Sequence, residues 1–366
     1  MEVSTGHLRI ETNGKKKVIS YAINILTFIR LIDFIYVLLA SPQIHQLAAL
    51  QRFILHFVNV VTCAYGVAAY TIQFVLKPYV TAAIFNTFFV EETRRGFDTG
   101  KREQKMRKNM LKYSVQELAA MGCLVLFILS NIVITLFASH LQMEMHLFYR
   151  LPPGLQTNST FYGLLGMEIC FAVVWAATAT FNVNMQLLFF QKMNDVLDHR
   201  ISVLRKFNAN RGHNFQILEE YRQCHKLHLF LLLFNSACSK LIFGLKCLCM
   251  CCTILCGYYT IQNFDEEPVL AGLFGLLTFN SIVAFAVIYD KAFSIPEKFQ
   301  IFKEELHVAS KMSNLTPLQE RLIEKTIYSD RNVGIQVAGF HNFERASTIR
   351  FVDFVSRNIS GLLIAT

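Results

Sequence analysis

LFLLLFNSACSKLIFGLKCLCMCCTILCGYYTI, residues 229–261, holds two lysines and no acidic residue in 33 positions. A helix of about 20 apolar residues already crosses a ~30 Å hydrocarbon core. This run therefore spans a bilayer and overshoots it. Comparable runs lie to either side, at 18–40, 54–76, 118–139, 162–181 with an apolar extension to 190, and 269–289. A last stretch, 334–366, is broken by Glu344, Arg345, Arg350, Asp353 and Arg357, and only 359–365 is largely apolar. The expectation is an all-α, polytopic membrane protein with seven transmembrane helices. Composition agrees: 53% of the 366 residues are hydrophobic and 17% charged, which is unlike a soluble domain. With 17 Gly and 7 Pro, collagen and disordered chains are excluded as well.

The lysines and arginines between the runs set the orientation, because cytoplasmic loops keep an excess of them. Four precede the first run, and the successive gaps carry one, nine, one, seven, none and seven. That alternation predicts a cytoplasmic N-terminus and an extracellular C-terminus, the reverse of a G-protein-coupled receptor. The chain then divides into a cytoplasmic N-terminus (1–17), helices one to four (18–190), a cytoplasmic helical segment (191–228), helices five and six (229–289), a second cytoplasmic helical segment (290–333) and a last, pore-type helix (334–366). Apolar residues at helical spacing, Val196, Ile201, Leu204, Ile217, Leu218 and Tyr221, make the inner segments structured extensions of the spans. The net charge of +9 is spread between apolar runs, so nucleic acid is not an expected partner; membrane lipid is. Of three sequons, only Asn158-Ser159-Thr160 falls in a gap that the charges place outside, which makes Asn158 the expected glycosylation site. The first run contains Arg30 and Asp33 and shows no small-x-small cleavage site, so it reads as a retained helix rather than a leader.

For catalysis the chain offers no Gly-x-Ser-x-Gly, Walker loop or His-Glu-x-x-His, so an enzyme is not expected. Nine of the ten cysteines lie within apolar runs. On a helix Cys247 and Cys251 share one face while Cys249, Cys252 and Cys256 share another, so no metal or cofactor is expected and helix packing accounts for them. Arg30 and Asp33, three apart, form an intrahelical ion pair that lowers the cost of placing either in lipid. A polar ligand or gating contact and a purely structural pair are the two readings of it. All seven prolines fall at span ends or in gaps, and no internal repeat is visible. Transporters commonly build midplane sites from interrupted helices in paired repeats, so a membrane carrier is the alternative reading.

In layout, nearly the whole chain resembles the insect chemoreceptor superfamily, on its gustatory receptor side. At residue level the resemblance rests on His225-x-Leu227 leading to Phe234-Asn235, and on Ala338-Gly339-Phe340 followed by Phe343-Glu344-Arg345. The family's C-terminal Thr-Tyr, five apolar residues and Gln-Phe is replaced here by Asn358-Ile359, residues 360–364 and Ala365-Thr366. The resemblance implies a chemosensory subunit of a tetrameric, ligand-gated cation channel, homomeric or mixed with related receptors. It further implies a plasma membrane location in sensory dendrites, a small tastant or odorant-like ligand held in the outer half of the bundle, and a last helix lining the pore. Positions at suitable depth for ligand contacts are Asn131, Phe171, Trp175, Tyr258, Tyr259 and Phe274, with ordinary helix packing the competing account of each. Leu362 and Leu363 fall where a ring of apolar side chains can gate a pore by dewetting. A non-conducting accessory receptor subunit is the other alternative.

Overall fold

The computed structural model describes residues 2–4, 7–9, 14–40, 47–86, 122, 125, 128–129, 132–133, 135–136, 139, 146–210, 217–313, 315–329, 334–339, 341–342 and 347–365. Long apolar runs become long helices, since a backbone in lipid can satisfy its hydrogen bonds only internally. After a short antiparallel pair, β1 (Glu2–Ser4) and β2 (His7–Arg9), come α1 (Gly14–Ala40) and α2 (Leu47–Tyr70). α2 runs on into a π-helical turn, Thr71–Leu76. α3 (Asn158–Asn210), α4 (Ile217–Gln262) and α5 (Pro268–Met312) follow, then α6 (Pro317–Ser329), a hairpin of β3 (Gln336–Val337) with β4 (His341–Asn342), and α7 (Ser347–Ala365).

Five helical stretches among the described residues are long and apolar enough to cross a membrane: Lys17–Ala40, Arg52–Leu76, Asn158–Ala209, Ile217–Gln262 and Pro268–Met312. They hold five of the six clear apolar runs. The remaining run, 118–139, falls largely outside the described residues, although those described within it are helical. α7 carries Arg350, Asp353 and Arg357 and is not one of the five. At about 1.5 Å per residue, the 53 residues of α3 reach roughly 80 Å and the 45 of α5 roughly 68 Å. Both far exceed a ~30 Å core. α5 continues through Pro296, beyond its apolar run. Apolar side chains left open on α1, among them Ile25, Ile29 and Ile32, form a surface suited to lipid.

α3 and α4 both pack along α5, and α2 sits against α3 and α4. Water drives little helix association inside a bilayer, so close packing has to. Rings supply much of it here: Phe189 of α3 stacks on Phe234 of α4 with centroids 3.8 Å apart, and Phe190 meets Phe234 edge-on at 5.5 Å. Gly66 supplies the rest at one crossing, where a Cβ would lie 2.9 Å from Trp175 Cβ and 3.1 Å from its Cα. A polar thread joins α2 to α3: Gln73, buried in the π turn, donates to Asn182 Oδ1 at 2.6 Å, and Asn182 Nδ2 donates to the Tyr65 hydroxyl.

The two short motifs flagged in the sequence meet at one junction. Asn235 of α4, 3% exposed, donates to Gly334 O at 2.9 Å and accepts from Gln336 N at 3.0 Å. Ala338 and Gly339 form the hairpin turn with φ of 50° and 81°. Glycine takes the left-handed conformation at little cost; Ala338 is held in it while its N–H bonds Ser239 O at 3.0 Å. The hairpin thus docks on α4 and delivers the chain to α7. Within the stretch 334–366 the helix itself occupies only Ser347–Ala365. Phe340 and residues 343–345 lie outside the described residues.

Candidate functional site

Arg30 lies ten residues before the end of α1 at Ala40, and Glu168 ten residues after the start of α3 at Asn158. Each is therefore about 15 Å below the same end of the bundle. The 3-10 turn Leu147–Arg150, with His146 before it, folds over that end. From these pieces a chain of charges forms. Arg150 grips Asp33 in a fork, Nη1 to Oδ1 and Nη2 to Oδ2, both at 2.6 Å. Arg30 bonds Asp33 through Nη1 and Glu168 Oε1 through Nη2, the latter at 2.7 Å. Glu168 also accepts from Leu147 N at 3.0 Å and from His146 Nδ1. Arg30, Glu168 and His146 have side chains only 5%, 6% and 4% exposed. Two arginines and two carboxylates sum to zero, which is what makes so deep a cluster tolerable in a low-dielectric site.

Beside the cluster lies a narrow aromatic cleft, with Arg30, Phe34, His146, Glu168, Phe171 and Trp175 among its lining residues. Trp175 stacks on Phe171 (centroids 6.1 Å, 13°) and meets Phe34 edge-on at 5.8 Å. The Arg30 guanidinium sits 4.2 Å from the Phe34 ring centroid, a cation–π contact. As folded here the cleft has room for about one water. Among the lining residues, His146 Nε2 and Trp175 Nε1 are buried and have no hydrogen-bond partner among the described residues.

No family model matches the chain, and no curated protein matches it in sequence. Its three-dimensional arrangement does find a match, in the structure of the insect olfactory receptor OR5 from Machilis hrabei. The TM-score is 0.71 at 12% identity, over 99% of this chain and 95% of that one. The chain shares the fold of that olfactory receptor. The agreement runs over almost the whole of both chains and includes the packing of the helices.

Within this fold the residues singled out from the sequence separate into three places. Phe171 and Trp175 line the cleft, next to the Arg30–Asp33 pair. Tyr259 and Phe274 pack on each other across α4 and α5 with centroids 4.7 Å apart; the Tyr259 hydroxyl donates to Glu267 Oε2 at 2.9 Å, and Tyr258 is buried beside it. These three do not line the cleft. Asn131 lies outside the described residues. Asn158 is exposed at the first position of α3. Of the cysteine run, Cys249, Cys252 and Cys256 are buried and Cys247 and Cys251 half-buried, the two faces that helical spacing separates.

α7 packs through Ser347, Phe351 and Val355. Phe351 stacks on Phe285 of α5 at 4.1 Å, and Ile359 Cδ1 presses on Gly257 of α4, 2.9 Å from where a Cβ would be. Arg350, Asp353, Arg357 and Ser360 are exposed on the other side, with Arg357 Nε bonding Asp353 Oδ1 at 3.0 Å. At 100° per residue Leu362 returns to within about 20° of Phe351 and is 36% exposed, whereas Ile364 is 86% exposed. Leu363 is half-buried.

Sequence reasoning paired Arg30 with Asp33 but missed Glu168, His146 and Arg150. Glu168 carried a signal: it is the only acidic residue within 162–181, and an ionisable residue in a span marks a site with a partner. His146 and Arg150 carried none, since nothing local shows that their loop folds into the bundle.

Proposed function

We propose that the chain is a chemosensory receptor of gustatory type, a subunit of a ligand-gated cation channel that assembles as a tetramer. The observation that carries the reading is the chemoreceptor fold along 99% of the chain, joined to an aromatic cleft beside a buried charge cluster. The cleft is the ligand site, at the end of the bundle that faces outward with the N-terminus in the cytoplasm. Ligands enter by parting Phe171 and Trp175 from their neighbours. α7 lines the ion path: its polar side, with Arg350, Asp353 and Arg357 exposed, suits water better than lipid, and its apolar end with Leu362 and Leu363 forms the narrow part. Asn158 carries a glycan in the same outward region.

The test is to record ligand-evoked current from cells that express the chain alone and then with related receptors. Current carried by cations and altered by substitutions along α7 supports the channel. Saturable solute uptake by purified protein in vesicles, without current, favours the carrier. Surface expression with neither current nor uptake in any combination leaves an accessory receptor.

A further inference from the structure

Where the apolar stretch of α2 ends, a lysine crosses to α4. That stretch closes at Leu76, and the next residue, Lys77, donates through Nζ to Ser236 O and, at 3.1 Å, to Ser236 Oγ. α2 and α4 pack against each other, so this bond sets the level at which the membrane boundary meets α4. The run that remains above it, residues 240–261, is roughly 33 Å long at about 1.5 Å per residue, the thickness of one hydrocarbon core. Lys240 stands one turn above Ser236 on the same helix face, and both are exposed. Their Cβ atoms are about 5–6 Å apart. The Lys240 stem leans back toward Ser236, because Cα–Cβ bonds in a helix tilt toward its N-terminus. Two ammonium groups therefore converge on one exposed patch at the boundary.

Neither helix brings a carboxylate to the pair: no Asp or Glu occurs from Leu47 to Val90 or from Tyr221 to Phe264. Lys77 uses two of its three N–H groups on Ser236 and keeps one, and Lys240 brings three more. Exposed Leu76, Tyr79 and Phe243 flank the lysines. Apolar surface beside cations at this level suits acyl chains under an anionic headgroup, whereas a free anion would leave that surface facing water. With the N-terminus in the cytoplasm this is the inner leaflet, where the anionic lipids lie. We infer that Lys77 and Lys240 form a headgroup site for an anionic phospholipid of the inner leaflet, the phosphate between the two ammonium groups and the acyl chains along Leu76 and Phe243. The site borders Asn235, whose bonds hold the hairpin that leads to α7, so a bound lipid braces the α2–α4 contact beside that junction. The choice of leaflet rests on the orientation proposed above. Binding of the lipid does not, so the two fail separately.

The test is native mass spectrometry of the purified full-length protein in a non-ionic detergent, which resolves bound lipid without any current being recorded. The protein is titrated with phosphatidylglycerol or phosphatidylcholine of identical acyl chains, and the Kd of the first lipid bound is read. A lysine at the membrane surface is worth about fivefold in affinity for an anionic lipid. Phosphatidylglycerol is therefore expected to bind about 25-fold tighter than phosphatidylcholine. Lys240→Gln should lower that preference about fivefold, and Lys77→Gln together with Lys240→Gln should abolish it. Lys325→Gln removes the same charge from an exposed position on α6 and should leave it intact. Equal binding of the two lipids overturns the site, as does a preference that survives Lys240→Gln or falls as far in Lys325→Gln. Glycerol 3-phosphate that displaces phosphatidylglycerol at equal concentration would assign the lysines to a free phosphate instead and overturn the lipid. Should Lys77→Gln loosen α2 from α4 and fail to fold, Lys240→Gln, which leaves the bonds to Ser236 in place, still decides.

Discussion

Replacing Gly66 by alanine tests whether the α2–α3 crossing that supports the cleft is as tight as the structure shows. The added Cβ would stand 2.9, 3.1 and 3.2 Å from Trp175 Cβ, Cα and O, against ordinary contacts of about 3.5–4.0 Å. Two of those atoms are backbone, so no rotamer change relieves the clash and the helices must separate by roughly half an ångström. Overpacking of this kind costs about 1–3 kcal/mol, while alanine in place of glycine in a helix gains about 1 kcal/mol. Gly166 provides the control: it lies within α3 with nothing inside 4 Å of its Cβ position. Gly166→Ala keeps only the gain, so the difference between the two variants isolates the clash at about 1–3 kcal/mol. In a chain of this size that is a gap of about 1–4 °C in melting temperature, read as the fraction of monodisperse protein left after heating in detergent. Trp175 emission should shift in Gly66→Ala and stay put in Gly166→Ala. A Gly66→Ala protein that melts at or above Gly166→Ala would refute the close crossing and, with it, the placement of Trp175.

Glu168→Gln removes the carboxylate shared by Arg30, His146 and Leu147 and should cost about 3–5 kcal/mol, the range for breaking a buried pair; surface expression near that of the parent chain would contradict the cluster. Asp33→Asn should be milder, about 1 kcal/mol, because Asp33 and Arg150 are partly exposed (24% and 28%). Asn235→Ala breaks two buried hydrogen bonds to the hairpin, at about 1–3 kcal/mol each, and should raise hydrogen exchange across 334–342 while leaving α3 unchanged; equal protection in both chains would show that Asn235 does not hold it. Cysteine at Ser360 or Ile364, on the open side of α7, should react with a charged, membrane-impermeant thiol reagent, and cysteine at Val355, buried against the bundle, should not. Lack of reaction at all three would place the open side in lipid.

The helices and their length came from local arithmetic. An apolar run longer than a bilayer is thick must be helical and must project, and residues 229–261 state this without help from any other part of the chain. The cysteine faces and the Arg30–Asp33 pair were legible for the same reason: both are questions of spacing along one helix. The seventh helix was blurred because its charges hide a packing stripe, Ser347, Phe351 and Val355, whose partners lie on α4 and α5.

The site needed three dimensions. Phe171 and Trp175 were named with Tyr258, Tyr259 and Phe274 from depth alone, and depth does not say which helix faces meet; only packing put the first two on one cleft and the others elsewhere. The turn of the hairpin and Asn235 are about a hundred residues apart, and their shared hydrogen bonds exist only once the chain has folded back. Sequence by itself determined which runs are long and apolar enough to become helices and which residues share a helix face, because those follow from composition and a 3.6-residue period. Tertiary structure decided which charges cancel, from Arg150 through Asp33, Arg30 and Glu168 to His146, because an ion pair depends on distances between elements that no periodicity encodes.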